Sequence, residues 1–378
     1  MKTTIKIVTL WGLLLTVACG APTGQATTAT STLQPAPTEA PPTETAVLPT
    51  DTPPPTKTPP PPPTIVPEPV LFTPVNPPDQ PMLPPPEAGS PFESIYTDAG
   101  AVVYHDGLFH LFYNTIHSWP PREILVGYAT SADGLTWTRQ GDEPVLLAEE
   151  VSYAGHTLLA SNVFVEDDGT WVMYFYTWPA MNGVVQSAIG RATAPAPAGP
   201  WTPDEAPALE ASPDSWDPYS VANPYVVQHE DGTYYMYYTG YTSGNLDAAI
   251  GLATSTDGIT WTKHDGPVLQ AGDAPWGERK IFGPKVLPTE NGWLMIYRND
   301  PMSGIPMTLS YATSEDGLTW THMTQDTPIF DIGPTAEWRA IWATDITYVD
   351  GTYFLFAEIG TGSSTDIHVM TYEGTFRQ

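Results

Sequence analysis

One nine-residue pattern recurs along this chain at a nearly constant interval and constrains its fold more than any other feature. It reads Ala-Thr-Ser-x-Asp-Gly-x-Thr-Trp and begins at Ala129, Ala253 and Ala312, with a degraded copy at Ala192. Successive copies start 63, 61 and 59 residues apart. Self-similarity at a fixed period indicates a repeat architecture, in which each unit buries its apolar face against its neighbours. The chain is therefore expected to stack units of roughly 60 residues.

A second series, of Asp-Gly or Asn-Gly pairs, runs in phase with this pattern and gives the number of units. The five pairs are Asp106-Gly107, Asp168-Gly169, Asp231-Gly232, Asn291-Gly292 and Asp350-Gly351. Such pairs suit the positive φ angles of tight hairpin turns, and β-branched and aromatic segments flank them without helical periodicity. Four antiparallel strands per unit, closed by a Trp, are typical of a propeller blade. The sequence predicts an all-β, five-bladed β-propeller, whose innermost strands contain Ala101, Val163, Tyr225, Lys285 and Ile346.

The first 89 residues do not fit the repeat. Residues 1–19 combine a basic start, an apolar run of eleven residues and Cys19, the single cysteine of the chain. The run is shorter than the ~20 residues that cross a bilayer, so it indicates a secretory signal. Thr16-Val-Ala-Cys19 resembles the bacterial lipoprotein signal, although Thr16 replaces the usual Leu. The resemblance implies a lipidated Cys19 and a protein anchored outside the cytoplasm, at the bacterial cell surface.

Composition separates the next two regions. Residues 20–89 are rich in Pro and Thr and are predicted to form an extended, disordered linker, followed by the propeller at residues 90–378. The chain carries 42 acidic against 13 basic residues, a net charge of −29. Such a field repels nucleic acids and anionic surfaces. We therefore expect no nucleic acid partner, membrane contact through the lipid anchor alone, and a monomer.

The first blade carries the clearest candidate for chemistry. Asp98 lies eight residues before Asp106 of the hairpin turn, and His110-Leu-Phe-Tyr113 follows that turn. This arrangement resembles the opening blade of the five-bladed glycoside hydrolases of families 32, 43 and 68, whose members act on fructans, arabinans and xylans. The resemblance implies that Asp98 is the nucleophile or the base that activates water, and that the axial funnel accepts a carbohydrate.

The other two acids of these families are absent from their motif positions. Asn223-Pro224 stands where the families have an Asp before a Pro, and Phe282-Gly-Pro284 stands where they have a Glu two residues before a Pro. Glycoside cleavage needs one carboxyl group to protonate the leaving oxygen and another to attack or to activate water. Two interpretations stay open. Either the acids have moved to Asp217 and Glu278, each close to a Trp, or the funnel is retained for glycan binding without chemistry.

The remaining candidates for sugar contacts lie near the starts of the innermost strands. They are His156, Trp216, Asn223, Trp276, Arg279, Arg339 and Asp345. A third interpretation is a sialidase-like hydrolase, because Ser131–Trp137 is similar to the Asp-box of sialidases. Arg279, Arg298 and Arg339 would supply the arginine cluster that sialidases use to hold a carboxylate, but five repeats instead of six argue against this class.

Metal chemistry has little support in the sequence. No His/Cys/Glu cluster has the spacing of a transition-metal site, so we expect no cofactor. Exposed acid pairs such as Asp167-Asp168 would suit a structural calcium ion at most.

Overall fold

The computed structural model describes most of the repeat region. The described residues are 71–77, 80–83, 97–118, 123–177, 187–243, 247–271, 278–301, 308–323, 329–331, 340–360 and 365–376. The predicted signal, Cys19 and most of the predicted linker lie outside these ranges. Within the ranges, none of the helical segments is long and apolar enough to cross a membrane.

The described residues form five antiparallel sheets, one for each predicted unit. Strand β1 (Thr73–Pro74) precedes the first blade. Blade one contains β2 (Thr97–His105), β3 (Leu108–Ser118), β4 (Glu123–Ser131) and β5 (Thr138–Arg139). Blade two contains β6 (Leu158–Val165), β7 (Trp171–Thr177), β8 (Ala188–Ala194), β9 (Thr202–Pro203) and β10 (Leu209–Glu210). Blade three contains β11 (Ser220–Gln228), β12 (Tyr234–Ser243), β13 (Asp247–Ser255) and β14 (Thr262–Lys263).

The last two blades follow the same order. Blade four contains β15 (Glu278–Thr289), β16 (Gly292–Pro301), β17 (Thr308–Ser314), β18 (Thr321–His322) and β19 (Phe330–Asp331). Blade five contains β20 (Ala340–Val349), β21 (Thr352–Gly360), β22 (Thr365–Tyr372) and, at its outer edge, β1. A short 3-10 helix covers Ala148–Glu150. The prediction of an all-β, five-bladed propeller is confirmed.

The core lies between neighbouring blades rather than inside any one of them. The innermost strands β2, β6, β11, β15 and β20 contact one another around the axis, as predicted. Phe112, Leu158 and Met173 belong to one buried cluster that joins blades one and two. Tyr237 and Val286 belong to another, between blades three and four. Consecutive residues of an inner strand are therefore buried on both faces, as in the first six residues of β6.

The recurring nine-residue pattern forms a self-contained turn that also joins blades. In blade one, Ser131 Oγ accepts a hydrogen bond from Gly134 N at 2.9 Å, and Trp137 Nε1 donates to Gly134 O at 3.0 Å. In blade four, Gly317 O of the same turn accepts a hydrogen bond from Tyr237 Oη of blade three at 2.7 Å. The similarity of this segment to the sialidase Asp-box is therefore explained by a structural turn.

The ring is closed by residues that precede the first blade. β1 pairs antiparallel with β22, with Thr73 opposite Thr371 and Pro74 opposite Met370. Beyond β1, Met82 N donates a hydrogen bond to Ile367 O at 2.9 Å. A segment that precedes the first blade in the sequence thus supplies the outermost strand of the last blade.

Because residues before the first blade take part in this closure, the linker ends earlier than the sequence predicted. Phe72, Met82 and Leu83 are buried, with at most 3% of each exposed. Phe72 packs in the cluster of blades four and five, while Met82 and Leu83 pack between blades five and one. The boundary predicted at residue 90 is therefore too late, because the unpaired edge of blade five recruits the apolar residues of this Pro-rich stretch.

Candidate functional site

A small cavity lies on the axis, at the end where the five innermost strands begin. Its volume is about 20 Å³, enough for a water molecule. All five blades contribute to its lining, which comprises Asp98, Gly100, Asn114, Ala160, Ser161, Tyr176, Asn223, Gly283, Lys285, Arg298 and Thr344. The described residues thus bring one carboxyl group and two basic groups together at the axis.

β-Bulges at the start of the innermost strands shape this lining. In every blade the pairing register of the innermost strand shifts near its start, after Asp98, Ala160, Ala222, Phe282 and Ile341. Asn223, in one of these bulges, has a φ of 49°, a value that Asn tolerates better than most residues. Gly283 has a φ of 63° at the corresponding place. Bulges re-aim side chains next to functional sites, and here they turn these residues toward the axis.

Asp98 is the acid at the bottom of the cavity. Its side chain is 2% exposed, and its Oδ1 accepts hydrogen bonds from Gly100 N at 2.9 Å and from Asn114 Nδ2 at 2.6 Å. Burial raises the pKa of Asp98 to about 6, although these hydrogen bonds and the charges of Arg298 and Lys285 oppose the shift. A carboxyl group with such a pKa exchanges its proton near neutral pH, which is typical of functional sites.

Asn114 holds Asp98 in place and was missed by the sequence analysis. Its Oδ1 accepts a hydrogen bond from Ala160 N at 2.7 Å, while its Nδ2 donates to Asp98 and to Ala160 O. The amide therefore fastens the acid of blade one to the innermost strand of blade two.

A buried lysine and a second buried acid lie beside the cavity. Lys285 Nζ donates to Ser161 O at 2.6 Å and lies 3.6 Å from Asp345 Oδ1. Burial lowers the pKa of Lys285 and raises the pKa of Asp345. Asp345 also accepts hydrogen bonds from Val102 N at 2.6 Å and Ile346 N at 2.9 Å. The predicted sugar-binding residue Asp345 thus links blades one, four and five and is not part of the cavity lining.

The positions of the two missing family acids are occupied by groups that cannot transfer a proton. Asn223 lines the cavity, and its Oδ1 accepts a hydrogen bond from Thr239 Oγ1 at 3.2 Å. Phe282 is buried, with Arg298 Cζ at 4.0 Å and Lys280 Nζ at 5.2 Å from its ring centroid. Among the described residues, Asp98 is the only acid that lines the cavity.

Asp217, proposed from the sequence as a displaced acid, is not brought to the cavity. It is fully buried, and its Oδ2 lies 2.7 Å from Nζ of Lys263, on the outermost strand of blade three. Lys263 Nζ lies 5.6 Å from the ring centroid of Tyr238, as Arg139 does over Tyr113 in blade one. The ion pair therefore belongs to the internal packing of a blade, which corrects the catalytic assignment of Asp217.

Trp216, the residue before Asp217, also packs within blade three. A Cβ atom added to Gly240 or to Gly251 would collide with its indole ring, so this ring lies flat against the middle strands of blade three. The two glycines make room for an indole that packs on the sheet. Trp216 is therefore partly buried against blade three and is not in the lining of the cavity.

We expect Asp217→Asn to destabilise the protein without affecting its ligand site. Removing one partner of a buried ion pair leaves a charge without compensation, and because Lys263 is 16% exposed the cost should be about 1–3 kcal/mol. Urea denaturation measures this loss, and Asp214→Asn, at an exposed acid nearby, is the matched control. A change in ligand affinity with unchanged stability would contradict the structural role.

The other residues proposed from the sequence are only partly placed. His156 is exposed in the loop before β6, where its carbonyl oxygen accepts a hydrogen bond from Ile124 N at 3.1 Å. Glu278 and Arg279 begin β15, but their side chains lie outside the described part of the structure. Trp276 and Arg339 lie outside it altogether, so their assignments stay predictions.

The sialidase and calcium hypotheses find no support. Of the three arginines proposed for a sialidase cluster, Arg298 lines the cavity and the other two side chains are not described, while the propeller has five blades. Among the described side chains, no group of three or more His, Cys, Asp or Glu could hold a metal ion.

Three residues of the cavity lining that the sequence analysis did not identify occupy similar positions in their blades. Asn114, Tyr176 and Arg298 stand on the second strands of their blades, opposite the start of the innermost strand. Asn114 and Tyr176 each lie eight residues after the Asp of their turn, and Arg298 lies seven after Asn291, so aligning the five units on these turns would have placed the three residues within one position of each other.

Comparison with known proteins agrees with this fold. The family model for the glycosyl hydrolases family 32 N-terminal domain matches residues 90–273. An uncharacterized protein of Mycobacterium tuberculosis is 29% identical over 185 residues, which are 47% of this chain and 56% of that protein. A probable arabinan endo-1,5-alpha-L-arabinosidase C of Aspergillus flavus is 26% identical over 229 residues, which are 57% of this chain and 65% of that protein. The match therefore spans less than two thirds of each relative.

A solved structure extends the comparison to almost the whole propeller. A putative glycoside hydrolase from Parabacteroides distasonis superimposes with a TM-score of 0.62 at 16% identity, over 81% of this chain and 97% of that one. Its low identity supports the fold alone, whereas the family match adds the sequence of the first three blades. The chain is a glycoside hydrolase-like five-bladed β-propeller.

Proposed function

We propose that this protein binds a glycan at the axial end of the propeller, with Asp98 as the central polar contact, and that it does not cleave glycosides by the two-carboxylate mechanism. The observation that supports this proposal is the lining of the cavity, where Asp98 is accompanied by Asn223 and Gly283 but by no second acid, while Phe282 is buried next to Gly283. An amide and a phenyl ring can neither protonate a leaving oxygen nor activate water.

The chemistry of Asp98 suits a sugar hydroxyl. With a pKa of about 6, its carboxyl group accepts a hydrogen bond when ionised and donates one when protonated. Lys285 and Arg298 place positive charge on the same lining. This combination favours a hydroxyl group, which both donates and accepts hydrogen bonds. Because the cavity volume is only about 20 Å³, one hydroxyl group of a glycan would enter it while the rest of the glycan lies above it.

An enzyme with a displaced acid is the alternative, and Glu278 is its candidate. Glu278 lies four residues before Phe282 on β15, so the two Cα atoms are about 13 Å apart at a strand rise of ~3.3 Å per residue. Catalytic carboxyl pairs stand roughly 5–10 Å apart. To act as the second catalytic acid, the Glu278 carboxyl group would have to lie within that distance of the Asp98 carboxyl group.

Calorimetry and product analysis on the full chain separate these functions. We expect at least one of arabinotriose, xylotriose, kestose and β-1,2-mannotriose to bind without release of shorter sugars. Asp98→Asn should weaken that binding about tenfold or more, because hydrogen bonds to charged groups contribute ~1.5–3 kcal/mol. Asp106→Asn is the matched control, because the Asp106 carboxylate is 91% exposed in the hairpin turn that follows the far end of β2.

Hydrolysis of a saccharide by the protein would favour the alternative, an enzyme with a displaced acid. If a saccharide is hydrolysed and both Asp98→Asn and Glu278→Gln abolish the hydrolysis, the proposal of a binding protein is wrong. Absence of binding by every saccharide tested would also count against it.

The location of the protein is part of the proposal. The predicted lipid anchor at Cys19 and the Pro-rich linker would hold the propeller outside the cytoplasm, where polysaccharides are found. Loss of membrane fractionation in Cys19→Ser would support the anchor, and unchanged fractionation would contradict it.

A further inference from the structure

An exposed tryptophan stands at the axial end of the fifth blade. Trp342 is 46% exposed, although it belongs to the innermost strand β20, whose residues Ile341 and Thr344 are 0% and 4% exposed. Indole is the largest side chain and is highly buried on average. An exposed indole within a buried strand therefore indicates a surface that a ligand covers.

The position of Trp342 relates it to the cavity. It lies in the bulge between Ile341 and Thr344, in the same place as Asn223 in blade three and Gly283 in blade four. Asn223, Gly283 and Thr344 all line the cavity. Trp342 therefore stands at the same level of the axis as these residues.

A hydrogen bond joins the segment of Trp342 to a basic lining residue. Arg298 Nη1 donates to Ile341 O at 3.4 Å, and the Arg298 guanidinium in turn stacks on Phe282. The backbone that carries the indole is thus fixed against the lining of the cavity, so the indole is presented from a rigid strand rather than from a loop.

We propose that Trp342 is the stacking platform for a sugar ring bound above Asp98, an inference that rests on the proposed glycan-binding function. The face of an indole carries negative charge density, which suits the polarised C–H groups on the flat side of a sugar ring. Stacking would also remove apolar indole surface from water, at about 25 cal/mol per Å². Asp98 would hold a hydroxyl of the ligand while Trp342 sets the plane of its ring.

Substitution at Trp342 tests the platform, with saccharide affinity measured by calorimetry on the full chain. We expect Trp342→Ala to weaken binding about tenfold or more, and Trp342→Phe, which keeps an aromatic face, to retain most of it. Tyr348→Ala is the matched control, because Tyr348 is 55% exposed on the same strand but at its opposite end. Trp342→Gln serves as a second variant should the alanine variant fold poorly.

The outcomes separate this inference from the function on which it rests. If the parent binds a saccharide and the Trp342→Ala and Trp342→Gln variants bind it equally well, the platform is wrong and the proposed function stands. If the parent binds none of the saccharides, both are overturned. An equal loss of affinity in Tyr348→Ala would also defeat the platform, since the effect would then not depend on the axial end.

Discussion

A chain that begins at Pro84 should lose most of its stability, whereas a chain that begins at Thr64 should unfold as the full chain does. The shorter chain lacks β1 and the buried side chains of Phe72, Met82 and Leu83. Truncating each such side chain to Ala costs about 2–5 kcal/mol, against a typical total of ~5–15 kcal/mol. We expect failure to fold or a fall in melting temperature of more than ~10 °C in a thermal scan followed by circular dichroism.

Single substitutions keep this test informative if the truncated chain cannot be purified. Phe72→Ala and Leu83→Ala should each lower the free energy of unfolding by about 2–4 kcal/mol, whereas Val75→Ala, at an exposed position beside β1, should change it little. Equal melting temperatures for the chains beginning at Thr64 and at Pro84 would show that the closure contributes nothing.

The free energy of unfolding should decrease between about pH 4 and pH 7 through the ionisation of Asp98. The pKa of this group in the folded protein is about 6, against 3.8 for a free side chain, because burial disfavours its charge. The stabilising proton is bound below pH 3.8 in both states and is lost from the folded state as the pH rises through 6. One pKa unit corresponds to ~1.4 kcal/mol, so ionised Asp98 should cost about 3 kcal/mol.

Asp98→Asn isolates this contribution. Asn is uncharged at every pH and can keep the hydrogen bonds from Gly100 and Asn114, so the variant should be more stable than the parent by up to ~3 kcal/mol at pH 7.5. The difference should nearly disappear at pH 4. Urea denaturation at several pH values gives the comparison, with Asp106→Asn as the control for loss of one surface charge. A constant difference from pH 4 to pH 7.5 would contradict the burial argument.

The sequence predicted the blades well because the information is local and repeated. The turn at Ser131–Trp137 satisfies its own hydrogen bonds, so its residues are recognisable without knowledge of the rest of the fold. The number of blades therefore follows from spacing alone. Asp98 was singled out because its distance from the hairpin turn resembles that of an acid in known five-bladed glycoside hydrolases, and the structure places it in the lining of the cavity.

The role of Asp217 and the boundary between linker and propeller were misjudged because the partners of these residues are distant in sequence. Asp217 lies six residues before Asn223, but its partner is Lys263 on the outermost strand of blade three. No sequence feature near Asp217 indicates that pairing. Phe72 and Leu83 lie in a segment whose proline content favours disorder. One signal was present: the Asp-Gly-x-Thr-Trp pattern does not return after Trp320, so the fifth blade lacks its own fourth strand.

The closure by β1 has a mechanical consequence. Any tension applied to the propeller through the residues before Leu71 acts first on the hydrogen bond from Leu71 N to Ile329 O and then on the pairs that β1 makes with β22, Thr73 with Thr371 and Pro74 with Met370. These contacts and the buried Phe72 side chain must resist a load that the four complete blades do not carry. A strong pull on the residues before Leu71 would therefore detach β1 from β22 and open the ring between its last and first blades before it unravels any complete blade.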